Sequence, residues 1–504
     1  MSPILRLRRG ATGALFAALV LVLPPRSTHA EGAAPHFEYT IDVAADLSRL
    51  DVRLAFTNFE PRRLMLAMGG PLDAVRFKGV DGEKIEVAAD LATARVASLD
   101  ARGGFDYAVD LDLLGRRRGG VSRVGLDLVT QTGAWLVRPI VLPDDARFSI
   151  VVRTPPGVRF ASPWPISGTT VDPTGTMTTY CLLDRSTWNM VGHAVFGRFA
   201  RETLSIAGAT IDLVTLSAPH KASADGIRRW VRAAVEGIAL LYGRFPAPRV
   251  SVFVVPVHGG RGDPVPFGST WYGGGPHVLL DLSDGATDED LVGEWVALHE
   301  LLHTTMPSIR VEDAWLSEGF VTYYQEVLRA RARYQAPLTS WQLIEEGFGR
   351  GRATGSGVAL SEESASMRSK HTYFRVYWAG AAIAMKLDVE LRRESGGRRT
   401  LDDVMKHWAR RIGNETDVTA DDLVADADGF LGGPTLASIA RPILASNEFP
   451  SVEVCYRWLG LGVREGRVFA DASSEGARER ERIVGPTPVP AVGPTSEDTG
   501  APKR

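Results

Sequence analysis

Leu298-His299-Glu300-Leu301-Leu302-His303 is followed, fifteen residues after its last histidine, by Glu318 in Trp315-Leu316-Ser317-Glu318-Gly319-Phe320. Residues four apart on an α-helix stack on one face, so His299 and His303 can direct two imidazoles at one ion. Glu300 sits about 100° around the helix and can reach a water on that ion. The third ligand has to come from another segment, and Glu318 is well placed to supply it. The run 294–302, Glu-Trp-Val-Ala-Leu-His-Glu-Leu-Leu, holds no Gly or Pro. Its apolar residues Trp295, Leu298 and Leu302 fall on one stripe, which predicts a buried helix. Pro307 is expected to end it. A second helix is expected from about 314 through Val321, Tyr324, Val327 and Leu328, and an antiparallel pairing would return Glu318 to the imidazoles. The plain alternative is two satisfied histidines on a partly buried helix beside a capping carboxylate, because the pattern also arises by chance.

These residue types suit a catalytic metal. Catalytic zinc commonly takes three protein ligands and keeps a fourth position for water, whose pKa falls to about 7. The expectation is one Zn2+ per chain on His299, His303 and Glu318. Glu300 would accept the water's proton during attack on a carbonyl and deliver it to the leaving amine.

Together with Tyr377-Trp378-Ala379-Gly380-Ala381, these elements resemble the gluzincin metallopeptidases of the aminopeptidase N type, and closely their glycyl-aminopeptidase-like bacterial relatives. The resemblance covers roughly residues 205–410, and the segment 377–393 is similar to the helix that follows the catalytic tyrosine in that group. It implies zinc ligands His299, His303 and Glu318, general base Glu300, and Tyr377 as a hydroxyl donor to the tetrahedral oxyanion, a role a phenol fills best in a water-poor site. Tyr373, four residues earlier, is the rival for that role. The substrate implied is a peptide or protein. Two departures stand out. The spacing from His303 to Glu318 is shorter than the family's by several residues, and the Gly-x-Met-Glu-Asn segment that recognises a free amino terminus has no counterpart. At that distance upstream stands Pro266-Phe267-Gly268-Ser269-Thr270-Trp271-Tyr272-Gly273-Gly274-Gly275, which has no carboxylate. A desolvated α-ammonium group needs a paired anion.

The reading is an exported zinc metallopeptidase, an aminopeptidase by resemblance. The alternatives are an endopeptidase or amidase of the same fold, or a catalytically silent envelope-binding protein with a zinc-stabilised fold. The glycine-rich segment and the strand expected at 277–283 are read either as a site that pairs with an extended peptide or as a surface hairpin. His258 and His277 have no partner at ligand spacing and are not expected to bind metal.

The ends carry further signals. Arg6, Arg8 and Arg9 precede an apolar run over 11–23 and then Ser27-Thr28-His29-Ala30, which reads as a secretory signal peptide over 1–30 cleaved after Ala30. A periplasmic or secreted location follows, with no stable membrane span after cleavage, since the apolar run is too short for one. The formal charge of −3 becomes −7 when the four arginines of residues 1–30, a stretch without acidic residues, are removed. No concentrated basic face points to nucleic acid. Cys181 and Cys455 are expected to be separate buried thiols, and nothing in the sequence indicates an oligomeric state.

With 504 residues, 44% hydrophobic and 23% charged, the chain can bury cores for two or three domains. The fold class expected is multidomain α+β. Alternating runs such as Phe37-Glu-Tyr-Thr-Ile-Asp-Val43 and Arg147-Phe-Ser-Ile-Val-Val-Arg153 predict an N-terminal antiparallel β-sandwich over 31–202. A thermolysin-like (zincin) α/β lobe with the HExxH helix is expected over 203–304, and a mainly helical lobe over 305–470. The charged, Pro- and Gly-rich tail 471–504 is expected to be disordered. Arg228, Arg229 and Arg232 are read as solvated helix charges, and the run Arg392, Arg393, Arg398, Arg399 as a solvated loop.

Overall fold

The alternating runs near the N-terminus form strands that bury one face each. His36–Val43 and Arg49–Thr57 hide Phe37, Tyr39, Ile41, Leu50, Val52 and Leu54 and turn their polar residues outward. A computed structural model describes residues 34–485 apart from 60–63, 79–85, 92–93, 100–102, 118, 140–141, 189–191, 261 and 412–417. The segment 1–30, read as a signal peptide, and the tail beyond 485 lie outside the described residues. His36–Val43 and Arg49–Thr57 belong to a seven-stranded sheet, and two four-stranded sheets share its core through Leu66, Met68, Leu128, Phe160 and Phe196. The sandwich is not purely antiparallel. His36–Val43 pairs parallel with Arg147–Thr154, which the long excursion through the other sheets makes possible, because parallel neighbours need a crossover rather than a hairpin.

A five-stranded sheet follows, in the order Ala200–Ile206, Ala209–Thr215, Arg249–Val257, His277–Ser283, Phe267–Trp271. Its first strand starts just inside the segment read as the N-terminal domain. One face is covered by the helices Ala224–Tyr242 and Val296–His303, with Ile227, Val231, Val235, Leu298 and Leu302 packed on Val252, Val254, Val278 and Leu280. The other face meets the N-terminal sheets through Val195, Phe199, Val214, Phe253 and Val255. His277–Ser283 lies between Arg249–Val257 and Phe267–Trp271. The reading of 277–283 as a strand open to a peptide is therefore corrected: both of its hydrogen-bonding sides are used, and Phe267–Trp271 is the edge. The glycine-rich turn is clamped by the N-terminal sheets. A Cβ on Gly274 would come within 2.3 Å of the Trp164 ring, and one on Gly192 within 2.0 Å of the Gly273 carbonyl oxygen.

In the helical region, Ala314–Arg331 crosses Tyr373–Ser395 backbone to backbone. A Cβ on Gly319 would lie 2.4 Å from Gly380 Cα, and one on Gly380 would lie 1.9 Å from the Trp315 carbonyl oxygen. Helices separate by the side chains at their contact, so two glycines give the nearest approach. The tail is ordered further than expected. Residues 477–484 form the helix Ala477–Val484, which correction has a cause in buried charge. Arg392, only 3% exposed, bonds Asp388 at 2.8 Å and Glu479 of that helix at 3.0 Å, and Arg331 Nε donates to the Ile483 carbonyl at 2.8 Å. A buried guanidinium must be paired, so these arginines hold the helix in place, and the reading of Arg392 as a loop charge is corrected too.

Arg228, Arg229 and Arg232 do make surface ion pairs, with Glu202, Asp288 and Glu236. Cys181 and Cys455 are separate buried thiols. Among the described residues no helix is long and apolar enough to cross a membrane.

Candidate metal centre

The helix Val296–His303 is set at both ends by side chains. The Glu294 carboxylate accepts from the main-chain N–H groups of Val296 (2.7 Å) and Ala297 (3.3 Å), capping its start. It ends at His303, before Pro307 is reached. The last four carbonyls of a helix have no partner within it. Here Thr270 takes that of Glu300, Thr304 that of Leu301 and Thr305 that of Leu302, all at 2.7 Å, while the Tyr272 hydroxyl takes that of His303 at 2.8 Å. The α-helix closes four residues before Pro307, and main-chain turns from Thr304 to Leu301, Thr305 to Leu302 and Met306 to His303 carry the chain up to the proline. Trp295 is not on the buried stripe. It is 44% exposed, with its ring edge-on to His299 at 5.7 Å.

His299 and His303, on this helix, meet Glu318 from Ala314–Arg331. The Nε2 atoms of the two histidines are 3.3 Å apart, and Glu318 Oε2 lies 3.3 Å from His299 Nε2 and 3.2 Å from His303 Nε2. Three donors at zinc–ligand lengths of about 2.0–2.1 Å in a tetrahedral shell stand about 3.3–3.4 Å from one another, so this triangle has the size of one face of a zinc site. The donor set, two imidazoles and a carboxylate, also suits that ion. Among the described residues no other group of three such side chains comes together.

The triangle is oriented from behind. His299 Nδ1–H donates to Gln325 Oε1 at 2.9 Å, which leaves the Nε2 lone pair directed at the centre of the triangle. Gln325 in turn donates to Glu326 at 2.7 Å, and Glu326 is held by Arg329 at 3.1 Å and by Gln335 at 2.8 Å. Gln325→Leu is expected to weaken zinc binding by about 10- to 100-fold, the usual effect of losing such a partner. Competition with a chromophoric chelator measures it, and an unchanged affinity would remove Gln325 from the site's support.

Glu300 faces the edge strand. Thr270 Oγ1 is 2.8 Å from Glu300 Oε2, and Gly268 leaves the room for it, since a Cβ there would sit 2.5 Å from Glu300 Cγ. Gly268, Thr270 and Tyr272 thus share one face of the strand and its extension and all touch the metal helix. The sequence reading missed these three and Gln325. Period-two spacing in Gly268-x-Thr270-x-Tyr272 was the available signal for the first three. Gln325 carried none, because its role depends on the crossing of two helices.

Tyr377 lies on the helix Tyr373–Ser395, its ring parallel to that of His299 at 6.3 Å and its hydroxyl on the side of the Glu318 and Glu300 carboxylates. Burial, then the Glu318 and Glu300 carboxylates, push its pKa far up, so the phenol stays protonated. Tyr373, the rival, is 38% exposed, and its ring lies against those of His371, at 6.2 Å, and Tyr377, at 6.4 Å, away from the donor triangle. His277 is buried against His193, with Nε2 3.1 Å from its Nδ1, and His258 pairs with Asp284 at the surface. Neither joins the triangle.

No protein-family model matches the chain, and no curated protein matches it in sequence. Solved structures do. The aminopeptidase N family protein from Idiomarina loihiensis, 16% identical, superposes with a TM-score of 0.64 over 85% of this chain and 79% of that one. An M1 zinc metallopeptidase from Deinococcus radiodurans, also 16% identical, superposes with a TM-score of 0.54 over 83% of this chain and 94% of that one. A glutamate-to-alanine variant of an M1 zinc metallopeptidase from the same organism, bound to the substrate Tyr-Ser-Ala, gives 17% identity and a TM-score of 0.53 over 83% and 96%. The chain therefore shares their architecture. In particular it is the multidomain α+β fold that aminopeptidase N-type M1 metallopeptidases adopt.

Proposed function

We propose that this chain is an exported, zinc-dependent metallopeptidase that hydrolyses peptide bonds. The observation that carries the reading is the zinc-sized triangle of His299, His303 and Glu318 with Glu300 held beside it. The fold it shares with M1 zinc metallopeptidases supports it. One zinc ion in that triangle would supply a Lewis acid and bring the pKa of water down to about 7. Glu300 accepts the proton of the attacking water on its carboxylate and passes it to the leaving nitrogen. Tyr377, neutral for the reasons above, donates its hydroxyl to the oxyanion that forms at the carbonyl. Phe267–Trp271 pairs on one side only among the described strands, and its other side can receive an extended substrate backbone. Export rests on the signal-like segment 1–30.

A second reading concerns end-directedness. The edge strand offers no carboxylate to an α-ammonium group, and its Trp271 indole bonds Ser269 at 3.0 Å instead. That favours an endopeptidase or amidase over a strict aminopeptidase. The silent binding protein fits less well, since a structural zinc site closes with a fourth protein ligand and needs no base. Zinc content and turnover of a mixed peptide library, with free and acetylated amino termini, test these readings together. Zinc at one per chain, with cleavage lost on chelation and restored by zinc, is the expected result. Cleavage of acetylated peptides would reject strict aminopeptidase action, zinc without cleavage would favour the silent protein, and failure to bind zinc would end the proposal.

A further inference from the structure

We infer that Thr270 is a positioning residue for Glu300, holding the carboxylate in line through the proton transfer; this rests on the reading of Glu300 as the base. The Thr270 hydroxyl has one hydrogen and two acceptors in reach, both from the same residue: the Glu300 carbonyl oxygen at 2.7 Å and Glu300 Oε2 at 2.8 Å. While Glu300 is a carboxylate, that hydrogen can serve either oxygen. When Glu300 takes the proton of the attacking water on Oε1, the Thr270 hydroxyl goes on donating to Oε2, which remains an acceptor. When the proton passes to the leaving nitrogen, the first arrangement returns. Thr270 gains and loses nothing, yet the carboxyl group keeps a partner at the same place in both states.

The surroundings separate this role from simple docking of the strand. Gly268, where the strand closes on Glu300 Cγ, and Tyr272, through its bond to the His303 carbonyl, seat the strand on the helix at either side of Thr270. Thr270 is the residue of this strand whose side chain bonds the carboxylate as well as the backbone. Thr270→Val keeps the shape and removes only the hydroxyl.

The test uses the zinc-loaded enzyme and a fluorogenic peptide chosen from a mixed library, with Thr270→Val, Thr270→Ser, Thr270→Ala and Glu300→Gln compared. The expected result is a fall in kcat of about 10- to 100-fold for Thr270→Val, of the size that misplacing a catalytic group causes. KM and zinc content should stay within about twofold, and Thr270→Ser, which restores the hydroxyl, should recover most of kcat. A wild-type kcat in Thr270→Val, or a loss confined to KM, zinc content or thermal stability, would overturn the inference. Should the valine variant not fold, equal kcat in Thr270→Ala and Thr270→Ser would overturn it equally. Activity retained in Glu300→Gln would instead remove the base itself, a failure distinguishable from that of Thr270.

Discussion

Glu300→Gln is expected to lower kcat for peptide hydrolysis by about 10²- to 10⁴-fold, the usual contribution of a positioned acid–base group. That corresponds to about 3–5 kcal/mol of transition-state stabilisation. The substitution keeps the shape and hydrogen-bonding capacity of the side chain, so Thr270 Oγ1 retains a partner, but it removes the site that takes the proton. Zinc binding should be untouched, because the donor triangle is made by His299, His303 and Glu318. Steady-state kinetics with metal analysis on the same sample checks both halves. A variant that keeps zinc and loses turnover supports the assigned role. One that keeps turnover means that another group, or the solvent, takes the proton.

The second large effect is structural. Gly380→Ala would place a methyl group 1.9 Å from the Trp315 carbonyl oxygen, and the obstacle is backbone, which cannot rotate aside as a side chain can. The two helices must part. Overpacking of this kind costs about 1–3 kcal/mol and occasionally more. The displacement also acts on the site, because Glu318 precedes Gly319 on one helix and Tyr377 lies one turn before Gly380 on the other. A shift near 1 Å there can cost about 100-fold in rate. The expected outcome is a lower Tm with a kcat reduced beyond what the folded fraction explains. Calorimetry beside active-site titration separates the two, and an unchanged Tm with unchanged kcat would show that the crossing is looser than its geometry.

The site and its frame differed in how far they could be read from the chain. His299, Glu300 and His303 span little more than one helical turn, so their geometry follows from the 3.6-residue period alone. Glu318 was legible because a short connection between two helices leaves few ways to arrange them. Tyr377 was reached by resemblance, and the choice over Tyr373 became clear only when helix rotation aimed one ring at His299 and the other at solvent. Thr270 was invisible as a partner of Glu300, since a strand and a helix thirty residues apart meet only through the sheet. The glycine-rich turn, read either as a substrate site or as a surface hairpin, is where two sheet layers close on one another. Composition likewise misread the tail, because Glu479 and the Ile483 carbonyl count as polar and solvated until they are placed on Arg392 and Arg331.

Local periodicity by itself determined the class of fold and the chemistry of the metal helix, because the spacing of side chains along a helix or strand is a property of the backbone and needs no partner. Only the tertiary structure decided which strand is the edge, which tyrosine faces the triangle, what holds Glu300 and where the ordered chain continues past 470. Those depend on contacts between segments far apart in sequence, and burial selects such contacts by pairing charges and filling space, for which the order of residues carries no period to read.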